Sequence, residues 1–132
     1  MTYTLGGTTL PNVQSEIVSK KALIMVLPFP TKDANETEIF DYGGVTAEII
    51  VDGTVNDSTT FATFRTNFLG DADLDGGKIS GAQTGHTYNS DTFGAGGINT
   101  SVTITNITTT YNAGIPDRLD YSISMSVGVN RT

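Results

Sequence analysis

The chain has no cysteine and no tryptophan, a single histidine, and only 7 Lys plus Arg among 132 residues. Without cysteine there can be no disulfide, thiolate metal site or cysteine nucleophile. The redox compartment stays open, since that absence suits a cytosolic and a secreted protein alike. The lone histidine, His86, lies in the polar Gly85-His86-Thr87 stretch and has no second imidazole with which to build a metal cage. No Ser or Asp is spaced to complete a triad with it, so it reads as an exposed loop residue. Long apolar runs are also missing. The longest, Ala22 to Leu27, is far too short to span a bilayer, and Met1 to Gly7 has neither the basic region nor the apolar core of a signal peptide. No phosphate loop, dinucleotide fingerprint or catalytic carboxylate pair stands out, and the expectation is a non-enzymatic protein.

Positive charge is scarce as well. Against the 7 basic residues stand 14 Asp plus Glu, a formal net charge of −7. Repulsion from phosphate argues against sequence-specific nucleic-acid binding, and the same repulsion disfavours an anionic membrane. The acidity itself needs no function beyond solubility. The Asn-x-Ser/Thr matches at Asn35, Asn56, Asn99, Asn106 and Asn130 follow from the abundance of Thr.

What is present points to strands. Hydrophobic residues are 37% of the chain, and adding its 15 Gly brings the count near the about 45–50% of a folded domain. The length fits one domain, 1–132, with one core. Thr is β-branched and suits a half-exposed pleated surface. The expected class is therefore mainly β.

Residues 1–20 are polar and turn-rich, and read as an extended arm with at most a short strand near Thr2–Leu5. The 21–52 stretch reads as strands. Lys21 to Leu27 is apolar at successive positions, so both faces need cover, one in the core and one against another element or subunit. Pro28 and Pro30 should end it, with a polar loop over 32–38. From Val45 to Val51 the alternation is clean: Val45, Ala47, Ile49 and Val51 share one face.

Residues 58–69 carry the helical pattern. Phe61, Phe64, Phe68 and Leu69 share one face of a 3.6-residue period, Asp57 or Ser58 can cap its start, and Gly70 can end it. With four threonines such a helix needs its Phe stripe buried on the sheet. The Gly-rich 70–100 segment reads as a long loop or extended hairpin arm. The 101–129 segment reads as a C-terminal hairpin, its turn over 112–117. The apolar phase shifts between Val102/Ile104 and Ile107/Tyr111, predicting a bulge near Thr105-Asn106. Leu119, Tyr121, Ile123, Met125, Val127 and Val129 then point one way, and Asp120, Ser122, Ser124 and Ser126 the other.

Asp71, Asp73 and Asp75 with Gly76 match the first half of a calcium loop, in which alternate carboxylates converge on a hard cation. They are the candidate metal ligands, with calcium the candidate ion. The second half departs from the pattern: position 12 is Ala82 instead of a bidentate Glu, and position 8 is Lys78. A solvated Asp/Gly loop after a helix has the same sequence.

The opening Tyr3-Thr4-Leu5-Gly6-Gly7-Thr8-Thr9-Leu10-Pro11 resembles small tail and baseplate proteins of tailed bacteriophages and archaeal viruses. The order of strands, one mid-chain helix, a long loop and a final hairpin resembles the tail-tube fold shared by phage tubes and contractile injection systems. The resemblance implies an antiparallel β-sandwich or half-barrel with one short α-helix packed on it. It also implies neighbouring sheets joined into a ring around a channel with the helix outside, and a virion component whose partners are its own copies and other virion proteins. Ser122, Ser124, Ser126 and Asp120 could then line a channel for DNA. The acidic 71–75 loop departs from that family pattern. The alternative is a calcium-dependent or carbohydrate-binding β-sandwich module, built on Asp71, Asp73 and Asp75 with Tyr88 or Tyr111 as sugar platforms.

Overall fold

Alternation decides the centre of the structure. In the computed structural model, which describes residues 2–27, 38–81, 83, 85–91, 97–111, 114 and 118–128, the two best-patterned segments lie side by side. Strand β4 (Glu38–Val55) pairs antiparallel with β7 (Leu119–Val127), placing Ile49 opposite Met125 and Val51 opposite Ile123. All four are essentially fully buried. On β7's other side lies β6 (Ile98–Tyr111), and their register shifts between Ile104 and Asn106, where the change of apolar phase predicts a bulge. The bulge keeps Val102 and Ile104 on the core face while Ile107 also turns toward it.

The remaining strands are β1 (Tyr3–Leu5), β2 (Thr8–Thr9), β3 (Val13–Leu27) and β5 (His86–Ser90). Among the described residues these seven form one antiparallel sheet in the order β2-β1-β5-β6-β7-β4-β3. That order forces curvature. β2 and β3 are the two ends of the sheet, six strand spacings apart, or about 29 Å if it were flat. Yet only residues 10–12 separate Thr9 from Val13, a span of at most about 14 Å. The sheet must curl until its ends approach, as a half-barrel does. Two tyrosines tie the curl across its hollow. Tyr88 on β5 donates its hydroxyl to Glu16 on β3, and Tyr121 on β7 donates to the Pro11 carbonyl in the crossover.

Helix α1 (Ser58–Phe64) and a π-helical turn (Arg65–Leu69) close the hollow over the expected 58–69 span. Asp57 is the N-cap: its carboxylate accepts from the Thr59 and Thr60 amides and from the Thr60 hydroxyl. Those bonds, the Thr60 hydroxyl first, hold its pKa below the usual carboxylate value. Phe64 and Phe68 are buried, with the Phe64 ring 4.7 Å from Tyr121. Gly70 ends the helix at φ 92°, ψ −151°. This is not the left-handed helical conformation expected of a C′ glycine, but it is still a region that glycine alone adopts freely.

Three expectations are corrected. The 1–20 arm is not an arm: Leu5 and Leu10 are in the core, and β3 already begins at Val13. Residues 13–20 conceal a strand because β3 is an edge strand without a buried face, so its sequence carries no apolar alternation. The 70–100 segment contains β5 and the start of β6; the inward positions of β5 are His86, Tyr88 and Ser90, only one of them strongly apolar. Finally, neither face of Lys21–Leu27 reaches the core. The loop expected over 32–38 lies outside the described residues except for Glu38, which opens β4, as do Pro28, Pro30, Val129 and, except Gly114, the 112–117 turn.

Candidate functional site

β3 and β4 remain paired well beyond the body of the sheet. The last β4–β7 pair is Glu48 with Ser126, whereas β3 and β4 continue through Ala22–Val45 and Val26–Ile39 to Leu27–Glu38. From Ser19, opposite Glu48, to Leu27 the hairpin projects about 27 Å at the usual strand rise. The pairing keeps Val18, Ile24, Val26, Ile39 and Val45 on one face and Ile17, Leu23, Met25, Leu27 and Phe40 on the other. These ten side chains are between 43% and 62% exposed. A two-faced apolar hairpin of this size is uncommon on the surface of a monomer and marks an interaction surface. Leu23 lies against Gly44, at 3.4 Å from where a Cβ would stand, so the bulge there is shaped to seat it.

The outer face of the sheet has the opposite character. Thr103 and Asn106, Thr108 and Thr110 on β6 stand opposite Ser126, Ser124, Ser122 and Asp120 on β7. β4 adds Glu48 and Asp52, and β5 adds Thr87 and Asn89. The sequence pointed only to the β7 members, Asp120 to Ser126; the register extends them into a field of hydroxyls and amides across four strands. A groove of about 320 Å³ on this face is lined by Gln14, Asp52, Thr108, Arg118, Asp120 and Ser122. Arg118 and Asp120 form an exposed ion pair at 3.4 Å, and Asp120 also accepts from Thr54 at 3.2 Å.

Besides the two-residue β2, two stretches of strand edge are open among the described residues. Among the described residues β3 has a neighbour only in β4. β6 is paired with β5 only from Ile98 to Val102; next to it the Gln83 side chain accepts from the Ile104 amide at 2.9 Å and donates to the Ile104 carbonyl at 2.8 Å. Gln83 is buried and serves as a one-residue substitute for a strand. From Asn106 to Tyr111 no strand lies on that side among the described residues.

Asp71, Asp73 and Asp75 are all exposed, and among the described residues no three His, Asp or Glu side chains are gathered as metal ligands. The loop is organised by its backbone instead. The Asp71 amide donates to the Asp75 carbonyl at 2.9 Å, Leu74 N–H to the Asp71 carbonyl at 2.9 Å, and Asp75 N–H to Asp73 Oδ1 at 3.3 Å. Lys78 N–H returns to the Asn67 carbonyl at 2.9 Å, anchoring the loop to the helix end.

His86 is partly buried, its Nε2 2.9 Å from the Lys78 carbonyl, a bond that ties β5 to that loop. Tyr88, one of the two expected sugar platforms, is fully buried and cannot stack on a ligand. Its phenol pKa is pushed upward by burial, and then by the Glu16 carboxylate beside it. Tyr121 is shifted the same way, by burial and then by the charge of Asp52. Tyr111 is 54% exposed but meets the Phe61 ring edge-on at 5.7 Å.

No family model matches this sequence, and no curated protein sequence matches it. Its fold is similar to that of a chain in the tail of an empty gene transfer agent particle, determined by helical refinement with C6 symmetry. That chain is 15% identical, with 92% of this chain and 81% of that one covered and a TM-score of 0.55. It is also similar to a chain in the virion of a native gene transfer agent particle, 17% identical over 92% of this chain and 84% of that one, with a TM-score of 0.53. At these identities the likeness is one of fold, and it extends over nearly the whole chain. The resemblance in architecture expected from the order of elements is matched by this likeness of fold.

Proposed function

We propose that this chain is a non-enzymatic structural subunit of a virion, a tail-tube or baseplate-ring protein whose copies join around a DNA channel. The observation that carries this reading is the β3–β4 hairpin, apolar on two faces and exposed on both. Such a surface is stable in water only when something covers it. The likeness to a chain in a C6 tail supports a ring of copies as the cover.

The open edges support the same arrangement. Following the sheet from β6 through β7 and β4 to β3, each strand reverses direction, so β3 runs opposite to β6. Joining the β3 edge of one copy to the Asn106–Tyr111 edge of the next would therefore be antiparallel, like every other pair. It would continue the sheet around a ring and satisfy two rows of unpaired backbone groups. The outer face would then line the lumen with Ser, Thr and Asn, together with Glu48, Asp52 and Asp120. Short hydroxyls and carboxylates give DNA little to hold, and like charge keeps it from adhering.

Light scattering on the size-exclusion eluate, followed by negative-stain microscopy, tests the reading. Rings or tubes are expected from the wild-type chain and monomers from an Ile24→Asp/Val26→Asp variant. A wild-type chain that remains monomeric at high concentration would refute it.

A further inference from the structure

The hairpin arm carries a second feature, at its base. Lys20 and Lys21 are exposed, they are adjacent, and they project to opposite faces of β3 among the apolar side chains Val18, Ala22 and Val45 on one side and Ile17 and Leu23 on the other. Among the described residues the only ion pair is Arg118–Asp120, so neither lysine is in one. The other described cations are placed differently: Lys78 lies over the Phe68 ring at 5.8 Å, and Arg65 is on the helix.

The complement to this stalk is on the same chain. Leu74 is 71% exposed, more than any other large apolar side chain among the described residues, and it is flanked by Asp73 and Asp75 with Asp71 one turn away. Among the described residues the other exposed large apolar side chains off the β3–β4 pair are Tyr111, engaged by Phe61, and Val127, at 38%. An apolar knob with an acidic rim thus matches an apolar stalk whose base carries Lys20 on one face and Lys21, with Glu48 nearby, on the other.

We infer that the lysine-bearing base of the hairpin arm is the docking site for the Asp71–Asp75 loop of a second copy, with Leu74 seated against the stalk and the loop straddling the β3 edge, so that its carboxylates face Lys20 on one side and Lys21 on the other. The inference rests on the self-assembly proposed above and names its contact. It gives the acidic loop a role other than cation binding, and it accounts for a leucine held out to solvent at φ 64°, a conformation that leucine seldom adopts.

Charge reversal with rescue provides the test, on the full chain. Lys20→Glu/Lys21→Glu and Asp71→Lys/Asp75→Lys are each expected to raise the threshold concentration for assembly by about tenfold or more, and the four-site combination to return it to within about threefold of wild type. All four side chains are exposed, and unchanged thermal melting verifies that each variant is folded. Leu74→Gly removes the knob and relieves its backbone; it should melt no lower than wild type yet assemble more weakly. Single reversals that assemble like wild type, or a combination that rescues nothing, would overturn this contact while leaving the subunit reading intact. A monomeric wild-type chain would overturn both.

Discussion

Gly53→Ala puts the closure of the curled sheet to the test. Gly53 stands opposite Tyr121 in the β4–β7 register, and both face the core. A Cβ at position 53 would lie 2.5 Å from Tyr121 Cζ and 2.8 Å from Cε1, so the ring must move. Its position serves two contacts: the hydroxyl bonds the Pro11 carbonyl in the crossover, and the ring packs 4.7 Å from Phe64. Overpacking costs about 1–3 kcal/mol. Leaving the Pro11 carbonyl unpaired costs about 1–3 kcal/mol, and the disturbed ring pair about 0.5–1.5 kcal/mol. These losses share one cause and do not simply add, so a combined cost of about 3–5 kcal/mol is expected. At about 3–5 °C per kcal/mol for a domain of this size, Tm should fall by about 10–20 °C.

The sign of the effect makes this a sharp test. Glycine inside a strand is intrinsically poorer than alanine by about 0.5–1 kcal/mol, so propensity alone predicts that Gly53→Ala stabilises. Calorimetry at neutral pH separates the two outcomes. On a Tyr121→Ala background the obstruction is gone, and the same substitution should be neutral or stabilising. A Gly53→Ala protein melting at or above wild type would refute the claim that Tyr121 is fixed over Gly53 and holds the crossover.

Three other outcomes are expected. Gly70→Ala should cost about 3 kcal/mol or more, because φ 92° suits only glycine and its Cβ would lie 2.7 Å from the Asp75 carbonyl carbon; a shift within error in chemical denaturation would contradict the loop geometry. Both buried phenols have pKa values raised above the ordinary 10.0, so their contribution is complete below that pH and is lost as pH rises past it. Tm should therefore decline above pH 10 or so, more gently in Tyr88→Phe and Tyr121→Phe than in wild type; an identical decline in all three would count against burial of these hydroxyls. Calcium should leave Tm within about 1 °C for both wild type and an Asp71→Asn/Asp73→Asn/Asp75→Asn variant, and a calcium-dependent rise confined to wild type would restore the cation site.

How far the sequence could be read depended on where each element hides its apolar face. Leu119–Met125 and the Ile49–Val51 end of the Val45–Val51 pattern were legible because one face of each is buried and the other is not, whereas Val45 alternates in sequence yet lies exposed on the arm. The bulge at Thr105 was legible because it exchanges the two faces within a continuous strand. The helix could be recognised from Phe61, Phe64 and Phe68, although its final turn is π-helical, a change of hydrogen bonding that no periodicity announces. β3 before Lys21 and the whole of β5 were not legible. The first is an edge exposed on both faces, and the second turns a histidine, a tyrosine and a serine inward. The closing contacts Tyr88–Glu16 and Tyr121–Pro11 join residues 72 and 110 positions apart, beyond any local pattern. Of the candidate surfaces, the doubly apolar strand was visible in sequence, but its partner was not. Ile39 and Phe40 lie beyond two prolines and a polar stretch, and only strand pairing places them beside Val26 and Met25.

The curl explains why one small sheet can offer such different surfaces. Because the core and the helix occupy its hollow, the outer face is free of any packing duty and can be given over to Ser, Thr and Asn. The hairpin leaves the body where β7 ends, so neither of its faces has a hollow to fill. Covering the eight half-exposed apolar side chains of the arm yields a gross gain of about 6–12 kcal/mol. Fixing one protein against another costs about 4–15 kcal/mol, of the same order. A single arm contact is therefore marginal. In the proposed ring each copy would be held by an arm, a strand edge and, on the inference above, a charged loop, and the contact that closes the ring carries no further association cost. That balance favours closed assemblies over dimers, and predicts a steep concentration threshold for assembly in place of a gradual series of intermediates.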